Sequence, residues 1–122
     1  AAVRNHNSRL AILAIDNSAQ VAAAEALGLS VVREAYADRA YQPNGLLVAR
    51  SEPGAVVHDS AAIAARAVRL ATSGQIVDID GGTIPSLAQS LCVHGDNAEA
   101  VAIARAIREA LTVAGFGVAP AL

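Results

Sequence analysis

A histidine and an aspartate separated by one glycine form the pattern in this chain that is best suited to acid–base chemistry. The three residues are His94, Gly95 and Asp96. An imidazole exchanges a proton near neutral pH, and a nearby carboxylate can orient it or help to hold a metal ion. We therefore take His94 and Asp96 as candidate catalytic residues. The same triplet also fits a strand-to-helix turn in which Asp96 only caps the helix.

Asp38 and Arg39 form a second candidate site, suited to binding an anionic substrate. A guanidinium group can bind a carboxylate through two parallel hydrogen bonds, and an adjacent carboxylate can keep the guanidinium oriented. We predict that Arg39 binds a substrate carboxylate and that Asp38 orients Arg39. A purely structural ion pair between these two neighbours is the alternative.

The other reactive side chains favour structural roles. His58 and Asp59 precede a helical pattern, which favours capping and packing. Cys92 alternates with apolar residues, so we expect a small buried side chain rather than a nucleophile. His6 lies in a polar stretch that predicts exposure to solvent. The sequence has no HExxH or paired CxxC spacing, so it predicts no metal site.

The composition excludes several classes of partner. A net charge of −2 provides no basic surface for a phosphate backbone, so nucleic acid is not expected. All nine basic residues are arginines, which excludes a Schiff-base lysine and the lysine of a P-loop. No apolar run approaches the ~20 residues of a membrane span. A single cysteine and the lack of a signal-like segment favour a cytoplasmic location.

The spacing of apolar residues predicts strands that alternate with helices. Strands are expected at residues 10–15, 29–32 and 90–94. A long polar connection follows the second strand, with turn signals at residues 43–45 and 53–54. A hairpin peripheral to the main sheet is expected around residues 80–82. The capping signals predict helices from residue 17 or 18 to 28, from 59 or 60 to 74, and from 95–97 to 115.

This order predicts an α/β fold with parallel strands and crossover helices. In such folds the loops at the carboxyl ends of the strands hold the site, and three polar clusters occupy those positions here. They are residues 16–17, 34–41 and 94–96. Three strand–helix units are too few to close a barrel, so we expect a partial (β/α) barrel. The absence of Met, including at position 1, predicts that the chain starts inside a longer reading frame.

Three blocks of the sequence resemble the conserved blocks of the LamB/YcsF family. They are EAYADRAY at residues 34–41, LVARSEPGAVVHD at residues 47–59, and SLCVHGD at residues 90–96. Their order and intervals also fit, and the resemblance covers most of the chain. By contrast, the family's N-terminal blocks of the types DLNCDxGE, ACGxHAGD and HGALY have no counterpart here.

The resemblance implies that residues 1–122 are the C-terminal portion of a single seven-stranded (β/α) barrel, with no internal boundary. That barrel is similar to glycoside hydrolase and deacetylase folds. The family's proteins act as the A subunit of an ATP-dependent 5-oxoprolinase, together with subunits B and C. The implied reaction opens 5-oxo-L-proline to L-glutamate by phosphorylating the amide oxygen before water attacks the ring carbon.

On this basis the missing N-terminal half of the barrel must come from another chain or be lost, and ATP with Mg is expected in the complete assembly. The share of the site carried by this chain would be Asp38, Arg39, His94 and Asp96. We expect the chain alone to be inactive. Two alternatives remain open: a non-catalytic fragment that docks a partner subunit, and a metal-dependent hydrolase similar to the deacetylases.

Overall fold

The computed structural model describes residues 1–95 and 98–121, which form a mixed α/β fold. No helix in these two ranges is long and apolar enough to cross a membrane. The elements follow one another as α1 (Ala2–His6), β1 (Ile12–Ile15), α2 (Ala19–Ala26), β2 (Val31–Tyr36), α3 (Ser60–Ser73), β3 (Gln75–Val77), β4 (Thr83–Pro85), β5 (Ser90–Cys92) and α4 (Ala100–Val113).

The main sheet has three parallel strands in the order β1, β2, β5. The prediction of a parallel α/β fold is therefore confirmed. Glu34 lies opposite both Ile15 of β1 and Ser90 of β5, and Tyr36 lies opposite Cys92. Because all three strands run in the same direction, the segments that leave β1, β2 and β5 emerge at one edge of the sheet.

Strand β2 is longer than the sequence predicts. The apolar pattern places the strand at residues 29–32 and a loop at residues 34–41, whereas β2 continues to Tyr36. Glu34 can belong to a strand because its backbone pairs with neighbours on both sides. The assignment of residues 34–36 to the loop was therefore wrong, and the polar side chains in this segment belong to the sheet.

The helix ends follow the predicted capping residues in α2 and α3. The Ser18 hydroxyl accepts a hydrogen bond from the Val21 amide, and the Asp59 carboxylate accepts one from the Ala61 amide. Gly74 ends α3 with a left-handed φ of 63°, a conformation that glycine adopts without strain.

The predicted start of α4 was wrong. This helix begins at Ala100 with Glu99 at its N-cap position, several residues after the expected 95–97. Because Glu99 occupies the N-cap position, the interpretation of Asp96 as the cap of this helix was wrong as well. Asp96 and Asn97 themselves lie outside the described residues.

The hairpin and the long connection also form as expected. Strands β3 and β4 pair antiparallel in a separate two-stranded sheet. Its turn is closed by the Asp78 carboxylate, which accepts hydrogen bonds from the amides of Asp80 and Gly82. The connection after β2 folds back on itself through isolated bridges, Arg39 with Val56 and Tyr41 with Leu47.

One face of the main sheet is covered by the helices α3 and α4 and by the hairpin. Ala35 and Ala37 from the β2 segment point to this face, where Leu91 and Val93 pack beside them. Side chains alternate between the two faces of a strand, so the residues between these apolar ones point to the opposite face. The apolar contacts that fasten α3 to α4 are made by Ile63, Ala67, Ile103, Ile107 and Leu111.

Candidate active site

Two neighbouring strands carry a polar or ionisable side chain at every second position on the face opposite the helices. We call this set of three cross-strand pairs the polar ladder. Ser90 donates a hydrogen bond from its hydroxyl to Glu34 Oε2 at 3.1 Å. The pairs run toward the carboxyl ends of β2 and β5 in the order Glu34–Ser90, Tyr36–Cys92 and Asp38–His94.

The last pair joins a carboxylate to an imidazole. His94 Nδ1 lies 2.8 Å from Asp38 Oδ2, and the backbone amide of His94 donates to the same oxygen at 3.2 Å. The ring of Tyr36 lies beside the imidazole, with 5.6 Å between the ring centroids. Two hydrogen bonds and one ring contact therefore fix the orientation of His94.

Arg50 determines which nitrogen of His94 carries the proton. Its Nη2 lies 3.1 Å from His94 Nε2. A guanidinium group has no acceptor, so Nε2 must accept this hydrogen bond. The ring proton then lies on Nδ1 and is donated to Asp38. This is the arrangement of a histidine general base, because the carboxylate orients the ring and the lone pair of Nε2 points away from it.

Asp38 is the buried member of the Asp38–His94 pair. It is only 6% exposed, and its second oxygen, Oδ1, is buried without a hydrogen-bond partner among the described residues. A buried carboxylate oxygen without a partner is costly, so such groups are rare. Asp38 therefore offers a free acceptor next to the histidine.

Arg39 lies close in sequence but points elsewhere. The residue is 8% exposed, and its Nη2 donates to the carbonyl oxygen of Val48 at 2.8 Å. Its backbone carbonyl accepts a hydrogen bond from Arg66. Asp38 pairs with His94 and not with Arg39, so Asp38 does not orient this guanidinium. The binding of substrate by Arg39 stays a prediction. Its buried Nε has no acceptor within residues 1–95 and 98–121.

The first predicted cluster, Asp16 and Asn17, forms a hydrogen-bonded junction at the end of β1. Asp16 is 4% exposed and accepts hydrogen bonds from Arg33 Nη1 at 3.0 Å, the Ser86 hydroxyl at 2.7 Å and the Leu87 amide at 2.8 Å. Asn17 adopts a left-handed φ of 62° and donates to the Pro85 carbonyl. Together these contacts connect the parallel sheet to the segment that follows the hairpin.

The electrostatics of Asp16 agree with its hydrogen bonds. Burial alone raises the pKa of this carboxyl, but the hydrogen bonds from Ser86, Leu87 and Arg33 outweigh burial, and the pKa lies below the usual value of 3.8. Asp16 is therefore a charged structural residue whose two carboxylate oxygens both accept hydrogen bonds, whereas one oxygen of Asp38 has no hydrogen-bond partner in the part of the chain that the structure describes.

Tyr36 and Cys92, the middle pair of the polar ladder, both have raised pKa values, which favours their protonated forms. Burial raises the pKa of the Tyr36 phenol, and Cys92 and Glu34 raise it further. Burial likewise raises the pKa of the Cys92 thiol, as do the carboxylates of Glu34 and Asp38. A protonated thiol is a poor nucleophile. The prediction that Cys92 packs as a small hydrophobic residue was incomplete, because its half-buried side chain lies on the polar face.

The remaining histidines lie on the surface, and metal-ligating residues do not gather in the described parts of the chain. His6 is exposed, as predicted. His58 is also exposed, and the predicted capping is performed by its neighbour Asp59. Within residues 1–95 and 98–121, no three His, Cys, Asp or Glu side chains are close enough together to bind a metal ion. Asp96, one of the predicted catalytic residues, is outside these ranges, and its role stays a prediction.

Sequence reasoning missed the contributions of Arg50 and Tyr36, and it missed the polar ladder as a unit. The signal for the ladder was present, since EAYAD at residues 34–38 and SLCVH at residues 90–94 both alternate polar or ionisable side chains with small or apolar ones. Arg50 belongs to the block at residues 47–59 that resembles the family, but no spacing linked it to His94. It lies 44 residues from His94 in the chain, in a turn between two short extended segments.

Known proteins similar to this chain carry consistent names. It is 50% identical, over 119 residues, to a 5-oxoprolinase A subunit from Nitrobacter hamburgensis, covering 98% of this chain and 47% of that protein. It is 46% identical to the protein of that name from Kocuria rhizophila, covering 96% and 46%. A crystal structure of "Lactam Utilization Protein" from Thermus thermophilus superimposes with a TM-score of 0.88 at 37% identity, covering 96% of this chain and 46% of that one.

The chain thus spans about half the length of the curated relatives it matches. The LamB/YcsF family model matches residues 1 to 122, the full length of the sequence. The chain belongs to the LamB/YcsF family.

Proposed function

We propose that this chain is part of the A subunit of an ATP-dependent 5-oxoprolinase, and that it supplies the acid–base residues that help to convert 5-oxo-L-proline to L-glutamate. The observation that carries the proposal is the Asp38–His94 pair at the carboxyl ends of β2 and β5. The names of the relatives support the choice of substrate, because they are 5-oxoprolinase A subunits.

In this proposal His94 is the general base that accepts a proton from the attacking water. With Nδ1 donating to Asp38, the lone pair of Nε2 removes a proton from water as the oxygen adds to the ring carbonyl carbon. The charge that forms on the imidazole is stabilised by the Asp38 carboxylate at 2.8 Å. The same proton can then pass to the ring nitrogen when the amide bond breaks. Asp96 is proposed to assist at this step.

We further propose that the three-stranded sheet is the C-terminal part of a seven-stranded (β/α) barrel. Both edge strands, β1 and β5, pair only with β2 among the described residues. Leu10 and Leu13 are 44% and 59% exposed beside the β1 edge. On the other side, a groove of about 840 Å³ lies between β5 and the helices α3 and α4. Further strands and helices of the longer protein would cover these surfaces.

ATP, Mg and the subunits B and C belong to the same proposal. The described residues do not fit a nucleotide site on their own, because the sequence has no lysine and no cluster of three metal-ligating side chains is found within the described ranges. We therefore propose that the main binding site of the nucleotide and its Mg lies in protein outside this chain, and we assign no step of phosphoryl transfer to its residues. A cytoplasmic location also stays a prediction.

The direct test is reconstitution. We expect the full-length protein that contains this sequence, mixed with its B and C subunits, Mg and ATP, to release L-glutamate from 5-oxo-L-proline. Coupled assays would measure glutamate and ADP in the same sample. Omitting any one of the three proteins should stop both signals. Full assembly without glutamate release would contradict the proposed function.

Arg39 gives a separate prediction about substrate binding. Replacement by alanine should raise the KM for 5-oxo-L-proline if the buried guanidinium reaches the substrate carboxylate. It should also lower the free energy of unfolding by about 2 kcal/mol, because the Val48 carbonyl loses a charged donor. Arg39→Lys keeps the positive charge but loses the planar guanidinium group, so it tests whether two-point binding of the substrate carboxylate is needed. A loss of thermal stability with an unchanged KM would assign Arg39 a purely structural role.

A further inference from the structure

Arg50 is the cation that faces the reactive nitrogen of His94. It lies at the surface, unlike Arg39, and its contact in the site is the 3.1 Å hydrogen bond to Nε2. Arg39 is buried and bonded to a backbone carbonyl. Of the arginines that adjoin the Asp38–His94 pair, Arg50 is therefore the one whose charge is accessible to a reactant.

The partner of Arg50 is a weak one for a guanidinium group. A neutral imidazole carries no formal charge, whereas the guanidinium fork matches the two oxygens of a carboxylate or phosphate. Charge-assisted hydrogen bonds of that kind are roughly twice as strong as neutral ones. An oxyanion that reaches this edge of the sheet will therefore compete successfully with Nε2 for the N–H groups of Arg50.

The present contact also conflicts with the proposed role of His94. Nε2 has a single lone pair, and while that pair accepts a hydrogen bond from Arg50 it cannot accept a proton from water. The base is blocked until Arg50 moves. The side chain of Arg50 is exposed, and among the described residues its one hydrogen bond is the bond to Nε2, so the movement requires little more than a change of rotamer.

We propose that Arg50 binds an oxyanion of the reactants, either a carboxylate or a phosphate, and that this binding releases Nε2 of His94 to act as the base. The inference rests on the proposed function for its choice of reactants. It makes Arg50 a substrate-binding residue whose occupancy controls the state of the histidine. Water attack is thereby restricted to the complex in which the anion is already bound.

Steady-state kinetics of the reconstituted enzyme provide the first test. In Arg50→Ala, we expect the KM of the reactant whose oxyanion is bound to rise roughly 10- to 100-fold. A higher KM for 5-oxo-L-proline alone identifies its carboxylate, and a higher KM for ATP alone identifies a phosphate. Values for both reactants within twofold of the wild type would overturn the proposal. Arg4→Ala, an exposed arginine of α1, is the control and should behave as wild type.

Nitrogen NMR of His94 in the full-length protein gives a second test that does not need turnover. In the wild type, sodium acetate or inorganic phosphate should change the Nε2 signal from hydrogen-bonded to free while Nδ1 keeps its proton. Arg50→Ala should show the free signal without any anion and should not respond to either salt. A wild-type Nε2 signal that responds to neither anion would overturn the inference, even if the enzyme hydrolyses 5-oxo-L-proline.

Discussion

Replacing His94 by alanine should lower kcat of the reconstituted enzyme for 5-oxo-L-proline by about 10²- to 10⁴-fold, the usual contribution of a general acid–base residue. The substrate keeps its other contacts, so KM should change little. His94 is half-buried and lies outside the apolar core, so the variant should still fold and assemble. Stopped assays of glutamate release, with assembly of the complex checked by light scattering, would measure the effect.

Asp38→Asn tests whether the carboxylate acts through the histidine. An amide of the same shape can donate to Nδ1, which would place the ring proton on Nε2 and remove the base. We therefore expect a loss of kcat close to that of the His94 variant, and a double variant that is hardly worse than either single one.

His6→Ala is the matched control, because His6 is exposed in α1. Near wild-type kcat in His94→Ala, in an enzyme that assembles fully, would remove the catalytic role. It would favour the alternative in which this chain only docks a partner.

Replacing Asp16 by alanine should lower the free energy of unfolding by about 2–4 kcal/mol. The change leaves the Ser86 hydroxyl and the Leu87 amide without their acceptor and takes from Arg33 one of its two carboxylate partners. Urea unfolding of the full-length protein at neutral pH, followed by circular dichroism, would measure the loss. Asp80→Ala, in the exposed hairpin turn, should change stability by less than about 0.5 kcal/mol.

The contribution of Asp16 to the free energy of unfolding should depend on pH. Its pKa in the folded protein lies below the usual 3.8, so the folded state favours the charged form. This contribution is fully present above the unfolded pKa and is lost as the pH falls through the folded value. The stability difference between wild type and Asp16→Ala should therefore be constant near neutral pH and shrink below about pH 4. A difference that grew on acidification would contradict this assignment.

The sequence predicted best the features that depend on neighbouring residues. The caps of α2 and α3 and the hairpin turn follow from side chains within four positions of the groups they bind. The length of β2 depended instead on long-range pairing, because Glu34 is polar and becomes part of a strand only through its two neighbours in the sheet. Local propensity could not show that pairing.

In the candidate site, too, the sequence predicted local features better than contacts between distant segments. The apolar residues before His94 correctly predict a strand, but the predicted range of 90–94 was too long, and His94 lies two residues beyond the end of β5 at Cys92. Its hydrogen-bonded carboxylate, however, is Asp38, 56 residues away, and not the nearby Asp96 that spacing suggested. Arg50 reaches the same imidazole from a third segment. Contacts between distant segments depend on the tertiary fold, which the spacing of residues in one sequence does not specify.

The histidine is carried by a very short edge strand. β5 has three residues and is hydrogen-bonded to a neighbour on one side only within the described chain. Short edge strands open locally at low free-energy cost, and any opening here separates His94 from Asp38. Backbone pairing on the free side of β5 would raise the population of intact pairs. Strand pairing at the free edge of β5 and formation of the Asp38–His94 hydrogen bond would then be thermodynamically coupled, so that a change that weakens one weakens the other.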